Sequence, residues 1–298
     1  MSVNLPIEYV EAARERRLLP FVGAGFSKNV SSKFPTWQQL IPLAANLLGY
    51  DSEILALQGD NLQIAEYLSS QKRLGQFYNE LSRELDSTSF DVGDSKPHLL
   101  LPYLDVYAIF TTNWDSWIER GFERECIPFE TIVTHYDFIS PRAYSYPTSR
   151  SSGVIVPDSD LPETRKRYAG SSIVKFHGDF SNPETIVFRE TDYYDRLEFE
   201  HPLDIKLRND IFGRSVVFIG YSFSDPNVRY LWHKLNKMMA TVESRDRVHS
   251  FFVTHSQNPL QMELMERKNV KTILMDPNRI SDDLTDLLNQ TIDIQQKG

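Results

Sequence analysis

Two short polar stretches contain the side chains best suited to chemistry. Residues 111–115 read Thr-Thr-Asn-Trp-Asp, and residues 176–179 read Phe-His-Gly-Asp. His177 can accept and release a proton near neutral pH. Asn113 and Asp115 offer an amide and a carboxylate, although either side chain can instead cap the helix that follows. Both stretches adjoin apolar runs, so they predict polar groups at the ends of buried strands.

A glycine-rich turn separates the first apolar run from a helical pattern. Residues 23–27 read Gly-Ala-Gly-Phe-Ser, and Lys28 follows them. Because glycine has no Cβ, the N–H groups of such a turn can approach a pyrophosphate closely, and the start of the next helix adds partial positive charge. The third glycine of the usual dinucleotide fingerprint is missing, so a tight turn without a ligand is the alternative.

Another glycine lies in residues 218–227, which read Phe-Ile-Gly-Tyr-Ser-Phe-Ser-Asp-Pro-Asn. Gly220 permits a close backbone approach, and Ser222 and Ser224 offer hydroxyl groups. Asp225 precedes a proline at an expected helix start, where capping is the alternative role for its carboxylate.

Short apolar runs supply the strands that position these four stretches. The runs cover residues 18–22, 107–111, 131–134, 173–177, 215–220, 250–254 and 271–275. Uninterrupted apolar runs are typical of parallel strands that are covered on both faces. Their alternation with helical patterns predicts an α/β fold with a Rossmann-like, doubly wound and mostly parallel sheet. The carboxyl ends of such strands face the ligand crevice, where the four stretches should meet.

Helical patterns dominate from residue 36 to about residue 100. Thr36 and Asn61 are expected to cap helices that run to Leu47 and Leu68, and further helices are expected over 74–85, 98–104 and 114–122. We predict one domain over residues 1–298. Its Rossmann-type core comprises about 1–35 and 100–298, with a helical insertion over about 36–100. Residues 140–170, rich in proline, serine and arginine, predict an irregular lid or loop.

The composition excludes several classes of protein. Cys126 is the only cysteine, so neither an intramolecular disulfide nor a four-cysteine zinc site can form. The formal net charge of -9 argues against a general nucleic-acid surface. No apolar run approaches the ~20 residues that span a bilayer, and the charged N-terminus does not read as a secretory signal. A cytoplasmic protein without a metal is expected.

Taken in order, the four stretches resemble the motifs of the sirtuin superfamily over residues 18–276. Gly-Ala-Gly-Phe-Ser resembles the pyrophosphate loop, and Thr-Thr-Asn-Trp-Asp resembles the sirtuin Thr-Gln-Asn-Ile-Asp. Phe-His-Gly resembles the motif of the catalytic histidine, and Gly-Tyr-Ser resembles the later Gly-Thr-Ser of the dinucleotide site. The resemblance implies a single sirtuin-like domain that binds NAD.

Two differences from the sirtuin deacylases indicate which group within the superfamily the chain resembles most. The two Cys-x-x-Cys pairs of the zinc ribbon are missing, and Phe34-Pro35-Thr36-Trp37 stands near the place of the expected Pro-Asp-Phe-Arg. The chain is more similar to the Sir2-type, NAD-hydrolysing domains of bacterial anti-phage defence systems, of the type paired with a HerA-type ATPase. That resemblance implies an NAD glycohydrolase (NADase) with NAD as its substrate.

The resemblance also assigns roles to residues. Asn113 and His177 are implied to be catalytic: Asn113 positions the water or the ribose, and His177 accepts a proton. Asp115 is implied to bind the nicotinamide carboxamide. The remaining implied NAD contacts are Gly23, Ala24, Gly25, Phe26, Ser27, Gly220, Tyr221 and Ser222. We interpret the other histidines as buried structural residues, namely His98, His135, His201, His233, His249 and His255.

The resemblance further implies a homo-oligomer and a partner such as a HerA-type ATPase or another sensor subunit. Three other functions stay open. The chain could sense NAD or ADP-ribose without turnover, act as a zinc-free protein deacylase, or serve as a structural subunit of a defence complex.

Overall fold

The structure is a computed structural model. It describes residues 2–57, 59–71, 74–133, 171–196, 201–221, 229–230, 232–233, 236 and 248–298. The lid that the sequence predicts over 140–170 lies outside these described residues, as do His135, Ser222, Ser224 and Asp225.

One parallel sheet of seven strands forms the centre of the described structure. The strands are β1 (Leu18–Val22), β2 (Ala108–Thr111), β3 (Phe129–Ile132), β4 (Ser171–Lys175), β5 (Ser215–Ile219), β6 (Ser250–Thr254) and β7 (Val270–Leu274). They lie side by side in the order β3-β4-β2-β1-β5-β6-β7. Strands β1, β2 and β5 are buried along their whole length, which explains their uninterrupted apolar sequences.

The order of the strands reverses at β1. Phe21 of β1 pairs with Phe110 of β2 on one side and with Phe218 of β5 on the other. The chain first builds the side that contains β2, and from β5 onward it builds the opposite side. The carboxyl ends of β1 and β5 therefore form a topological switch point, where open α/β sheets bind their ligands. The predicted doubly wound α/β fold is confirmed.

Helices cover both faces of this sheet. In chain order the described helices are α1 (Ile7–Arg14), α2 (Ala24–Ser27), α3 (Trp37–Leu47), α4 (Ser52–Ala56), α5 (Asn61–Gln71), α6 (Leu74–Leu85), α7 (Lys96–Leu100), α8 (Trp117–Glu125), α9 (Glu190–Asp195), α10 (Pro202–Ile211), α11 (Pro259–Glu266) and α12 (Ile280–Lys297). Helices α1, α8 and α12 share one core with the sheet, whereas α10 and α11 pack on its other face. None of these described helices is long and apolar enough to cross a membrane.

Helices α3 to α6 build a separate core beside the sheet. Their buried side chains pack around Trp114, Ile186 and Phe188, which come from the loops after β2 and β4. We propose residues 36 and 100 as approximate limits of this helical insertion. Because the insertion shares its core with two strand-end loops, it supports the polar stretches that begin there.

Several boundaries differ from the sequence-based expectation. Helix α5 is capped by Asp60, whose Oδ1 accepts from the N–H groups of Leu62 (2.9 Å) and Gln63 (3.0 Å), and not by Asn61. The helix expected over 98–104 ends at Leu100 and continues as a 3-10 turn. Its second residue, Pro102, has no N–H to donate to an α-helical bond.

Two further differences lie next to the polar stretches. Helix α8 begins at Trp117 and not at residue 114, because Trp114 is buried in the core of the insertion. Strand β4 ends at Lys175, so His177 lies in the turn beyond the strand. The positive φ of +86° at Gly178 completes this turn. A third difference lies elsewhere in the sheet, where strand β3 covers Phe129–Ile132 and not the expected 131–134.

Phe188 provides a test of the shared core. Its ring is fully buried, with centroids 5.4 Å from Phe77 and 5.6 Å from Trp114. We expect Phe188→Ala to lower the free energy of unfolding by about 3–5 kcal/mol, since it leaves a large cavity. Phe212 is 62% exposed, and Phe212→Ala should change that free energy by no more than about 0.5 kcal/mol. Similar urea midpoints for the two variants would contradict the shared core.

Candidate functional site

A cleft of about 820 Å³ opens at the carboxyl ends of the central strands. Its volume lies within the range of about 300–1,000 Å³ that is usual for small-molecule sites. Of the residues that the sequence predicts for the site, the cleft is lined by Ala24, Gly25, Ser27, Asn113, Asp115, His177, Gly220 and Tyr221. The fold thus brings together residues that lie almost 200 positions apart in the chain.

Two predicted residues lie behind the cleft wall. Gly23 precedes α2, and Phe26 is fully buried, with its ring 4.3 Å from that of His98. The Phe26 side chain therefore supports the glycine loop from below and does not face the cleft. Ser222 lies outside the described residues.

The glycines of the two strand-end loops allow the loops to touch. The N–H of Gly23 donates to the carbonyl oxygen of Ile219 (2.9 Å), and the N–H of Gly25 donates to that of Gly220 (2.8 Å). Gly220 has a φ of +62°, and a Cβ there would lie 2.2 Å from the Phe26 nitrogen. The backbone N–H groups of Gly23 and Gly25, which the sequence predicts as pyrophosphate donors, are thus already hydrogen-bonded within the protein.

Asn113 is tied to the glycine loop by its side chain. Its Nδ2 donates to the carbonyl oxygen of Gly23 (3.2 Å) and to Ser27 Oγ (3.0 Å). A carbonyl oxygen can only accept, so the orientation of the amide is determined. Asn113 Oδ1 is buried and has no hydrogen-bond partner among the residues that the structure describes. Asn113 therefore does not cap α8 and keeps an acceptor available beside the cleft.

Asp115 has both of the roles that the sequence left open, since it caps α8 and also lies in the site. Its Oδ1 accepts from the N–H of Trp117 at the start of α8 (3.3 Å), and its Oδ2 accepts from Ser27 Oγ (2.9 Å). Burial raises the pKa of this carboxyl to about 7, although the Lys175 ammonium and the Ser27 hydroxyl act in the opposite direction. Asp115 therefore changes charge near neutral pH.

His177 lies between two aromatic rings. Its ring stacks on Phe176 with centroids 5.4 Å apart, and it meets the edge of Tyr193 at 5.6 Å. Its carbonyl oxygen accepts from the N–H of Val187 (3.0 Å), which fixes the turn after β4. The imidazole is 4% exposed and lines the same cleft as Asn113.

The interpretation of the other histidines is correct for one of them and wrong for most. His98 is buried and bonded to Ser95, and burial lowers its pKa to about 3. His201, His233 and His255 are exposed, and His249 is half-buried. His255 also lines the cleft beyond β6. Single histidines lack the periodicity that reports burial, so sequence alone could not separate these cases.

Several residues of the site were not predicted as such. Trp37 and Tyr193 line the cleft beside Trp114, and Lys28 lines it near the glycine loop. Lys175 lies behind the cleft and is fully buried. The available signal was a charged residue within an otherwise apolar strand, which requires buried partners. Within the described ranges, no three His, Cys, Asp or Glu side chains are arranged to hold a metal ion.

The chain belongs to the SIR2-like domain family, whose model matches residues 107–273, more than half of the sequence. This assignment agrees with the order of the four stretches and with their meeting at the switch point. It confirms the resemblance at the level of the family.

The curated relatives of this chain include proteins named as NAD(+) hydrolases and as a defence-associated sirtuin. NAD(+) hydrolase ThsA from Bacillus cereus (strain MSX-D12) is 23% identical, covering 90% of this chain and 53% of the relative. NAD(+) hydrolase ThsA from Cytobacillus dafuensis is 25% identical over 78% of this chain and 40% of the relative. Defense-associated sirtuin 2 from Bacillus subtilis is 27% identical over 89% of this chain and 24% of the relative. The chain spans about half the length of these relatives, or less.

A solved structure from work on the mechanism and regulation of Sir2 enzymes aligns with 97% of this chain and 99% of that chain. The TM-score is 0.47 and the sequence identity is 13%.

The contact between the glycine loops can be tested at Gly220. We expect Gly220→Ala to destabilise the protein more than Gly213→Ala, since both residues have positive φ but only Gly220 has backbone within 4 Å of a new Cβ. Backbone strain alone should cost Gly213→Ala about 1–2 kcal/mol. Equal urea midpoints for the two variants would show that the loops do not need this close approach.

The titration of Asp115 gives a pH-dependent prediction. Its pKa is raised from 3.8 to about 7. The folded state therefore retains a proton that the unfolded chain has released, and stability falls as the pH rises through this interval. Asp115→Asn cannot ionise, so the stability of the wild type should decline relative to that variant between pH 4 and 7. The control is Asp282→Asn, at an exposed site. A wild-type decline no steeper than that of Asp115→Asn in urea titrations would contradict the assignment.

Proposed function

We propose that this chain hydrolyses NAD at the bond between nicotinamide and ribose, giving nicotinamide and ADP-ribose. The observation that supports this most directly is the position of Asn113 and His177 on one cleft, where the buried Oδ1 of Asn113 has no hydrogen-bond partner within the described ranges. The family membership of the chain and the names of its relatives, several of them NAD(+) hydrolases, agree with this proposal.

The wall of the cleft suits the nicotinamide end of the substrate. Trp37, Trp114 and Tyr193 line the cleft near His177, and the rings of Trp37 and Trp114 meet edge to face at 6.4 Å. Aromatic faces attract cations, and nicotinamide in NAD is a cationic pyridinium ring. We place the reacting ribose next to this wall, between Asn113 and His177.

The reaction needs a water molecule and a proton acceptor. As the bond from C1′ of the ribose to the nicotinamide nitrogen breaks, its electron pair leaves with the ring, which becomes neutral. The ribose develops oxocarbenium character, as in glycoside cleavage. Asn113 Oδ1 accepts a hydrogen bond from the water or from a ribose hydroxyl and so orients it. Water oxygen bonds to C1′ and loses a proton, which His177 accepts either directly or through a ribose hydroxyl that passes on its own proton and takes up that of the water.

The rest of the substrate extends toward the two glycine loops. We propose that Gly23, Ala24, Gly25, Phe26 and Ser27 shape the pyrophosphate site, with Gly220, Tyr221 and Ser222 on the other side. Because the Gly23 and Gly25 amides are bonded within the protein, phosphate binding needs other donors, and Lys28 on the cleft wall supplies a positive charge. In its protonated state Asp115 can donate to the carboxamide oxygen of nicotinamide, and when ionised it can accept from the carboxamide N–H₂.

We also propose a setting for this activity. The chain depletes NAD in anti-phage defence, in the cytoplasm and without a metal, and it assembles as a homo-oligomer that a HerA-type ATPase or another sensor subunit controls. The name of the relative Defense-associated sirtuin 2 supports the role in defence. Oligomer and partner follow from the sequence resemblance alone.

Substitution of the two central residues tests the proposal. We expect His177→Ala and Asn113→Ala to reduce nicotinamide release by at least about 100-fold, through loss of the proton acceptor and of substrate orientation. His233→Ala and Asn209→Ala, at exposed positions, serve as matched controls. Nicotinamide is quantified by chromatography, for the chain alone and with the product of the neighbouring gene, with and without nucleic acid.

Full NAD cleavage by either site variant would remove that residue from the mechanism. Tight NAD binding without nicotinamide release under any condition would favour a sensing module. Release that depends on an acylated peptide would favour a zinc-free deacylase.

A further inference from the structure

We propose that Lys175 is a positioning residue that holds the loop of Asn113 and Asp115 against the turn of His177. The coupling of the two loops stands on geometry, and only its effect on catalysis rests on the proposed function. The proposed mechanism gives this lysine no role.

The ammonium group of Lys175 contacts three separate segments. It donates to the carbonyl oxygen of Asp115 in the loop after β2. It also lies 3.2 Å from Glu119 Oε1 in α8 and 3.0 Å from Asp179 Oδ2 in the turn after His177. The Lys175 side chain is fully buried, so these acceptors match its three N–H bonds with little room for water.

The charges explain why this position requires a lysine. Burial alone would lower the pKa of Lys175, but Glu119, Asp179 and Asp115 raise it above its ordinary value, so the ammonium stays protonated. An apolar residue would leave a buried carbonyl oxygen without a donor and two acidic groups without a cation.

Lys175 lies close in sequence to one proposed catalytic residue and holds the backbone close to the other. It lies two residues before His177, and the carbonyl oxygen that it holds lies two residues after Asn113. A second bond joins the same two loops, from the N–H of Phe180 to the carbonyl oxygen of Trp114 (3.4 Å), but its length makes it weak. At the strand ends the N–H of Phe176 also donates to the carbonyl oxygen of Thr111 (2.7 Å). Beyond the strand ends, Lys175 provides the stronger of the two links described above between the Asn113 loop and the His177 turn.

A set of variants separates positioning from charge balance. Lys175→Met removes the donor and leaves Glu119 and Asp179 without their cation. Lys175→Met/Glu119→Gln also removes the donor but leaves one fewer uncompensated acid, so it remains testable if the single variant does not fold. Glu119→Gln alone keeps the donor. Lys206→Met, which breaks the 2.7 Å ion pair with Asp210 in α10, controls for loss of a partly buried lysine contact.

The first measurement is hydrogen exchange of the peptide that contains residues 112–116, which does not require NAD. We expect faster exchange in both variants that lack Lys175 and wild-type exchange in Glu119→Gln and Lys206→Met. Wild-type exchange in the double variant would overturn the proposal, since it would assign Lys175 to charge balance alone.

The second measurement is the kinetics of NAD cleavage. We expect the double variant to lose about 100-fold in kcat, as for a small misplacement of reacting groups, with KM for NAD changed much less. Equal kcat for the double variant and Glu119→Gln would overturn the catalytic part of the proposal. If the wild type cleaves no NAD under any condition, the proposed function fails, and the exchange result still decides whether Lys175 couples the loops.

Discussion

The close contact between the loops after β1 and β5 is the constraint on which the site depends. The N–H of Gly25 donates to the carbonyl oxygen of Gly220 at 2.8 Å, and a Cβ on either glycine would lie within 3 Å of backbone atoms of the other loop. Two adjacent parallel strands can end in such contact only if their loops have no side chains between them. The contact forms the floor of the cleft at the point where the strand order reverses.

Hydrogen bonds across the loops then fix the groups above this floor. Asn113 donates to Ser27, and Ser27 donates to Asp115, so one hydroxyl joins the glycine loop to both polar residues of the next strand end. From the other side, Lys175 holds the backbone of Asp115. Because each bond begins on one loop and ends on another, the arrangement exists only when all of these loops are in place.

The helical insertion contributes by packing and by hydrogen bonds to the loop after β2, where Asp86 accepts from the N–H (3.2 Å) and the Oγ (2.8 Å) of Ser116. Trp114 lies between Asn113 and Asp115 in sequence, yet its ring is buried among the helices of the insertion, 5.6 Å from Phe188. With this ring buried in the insertion, α8 begins only at Trp117. Phe188 also contacts the ring of Trp37, and Trp37 contacts that of Tyr193. Trp37 and Tyr193 form the cleft wall next to His177.

The amino-acid sequence by itself determined the strands, the order of the polar stretches and the type of sheet. A buried parallel strand such as β5 needs an uninterrupted apolar run, and this local requirement can be read from neighbouring residues. The alternation of such runs with helical patterns predicted the doubly wound fold. The family resemblance was also accessible, because it depends on short motifs in a given order.

Only the tertiary structure decided what the individual polar groups do. It showed that Asp60 caps α5 and that Asp115 both caps α8 and accepts a hydrogen bond from Ser27. It also showed that His255 lines the cleft and is not buried in the core. It also supplied Lys175 with partners from three segments. The physical reason is that hydrogen bonds and ion pairs depend on distances between groups far apart in the chain, whereas burial patterns repeat locally.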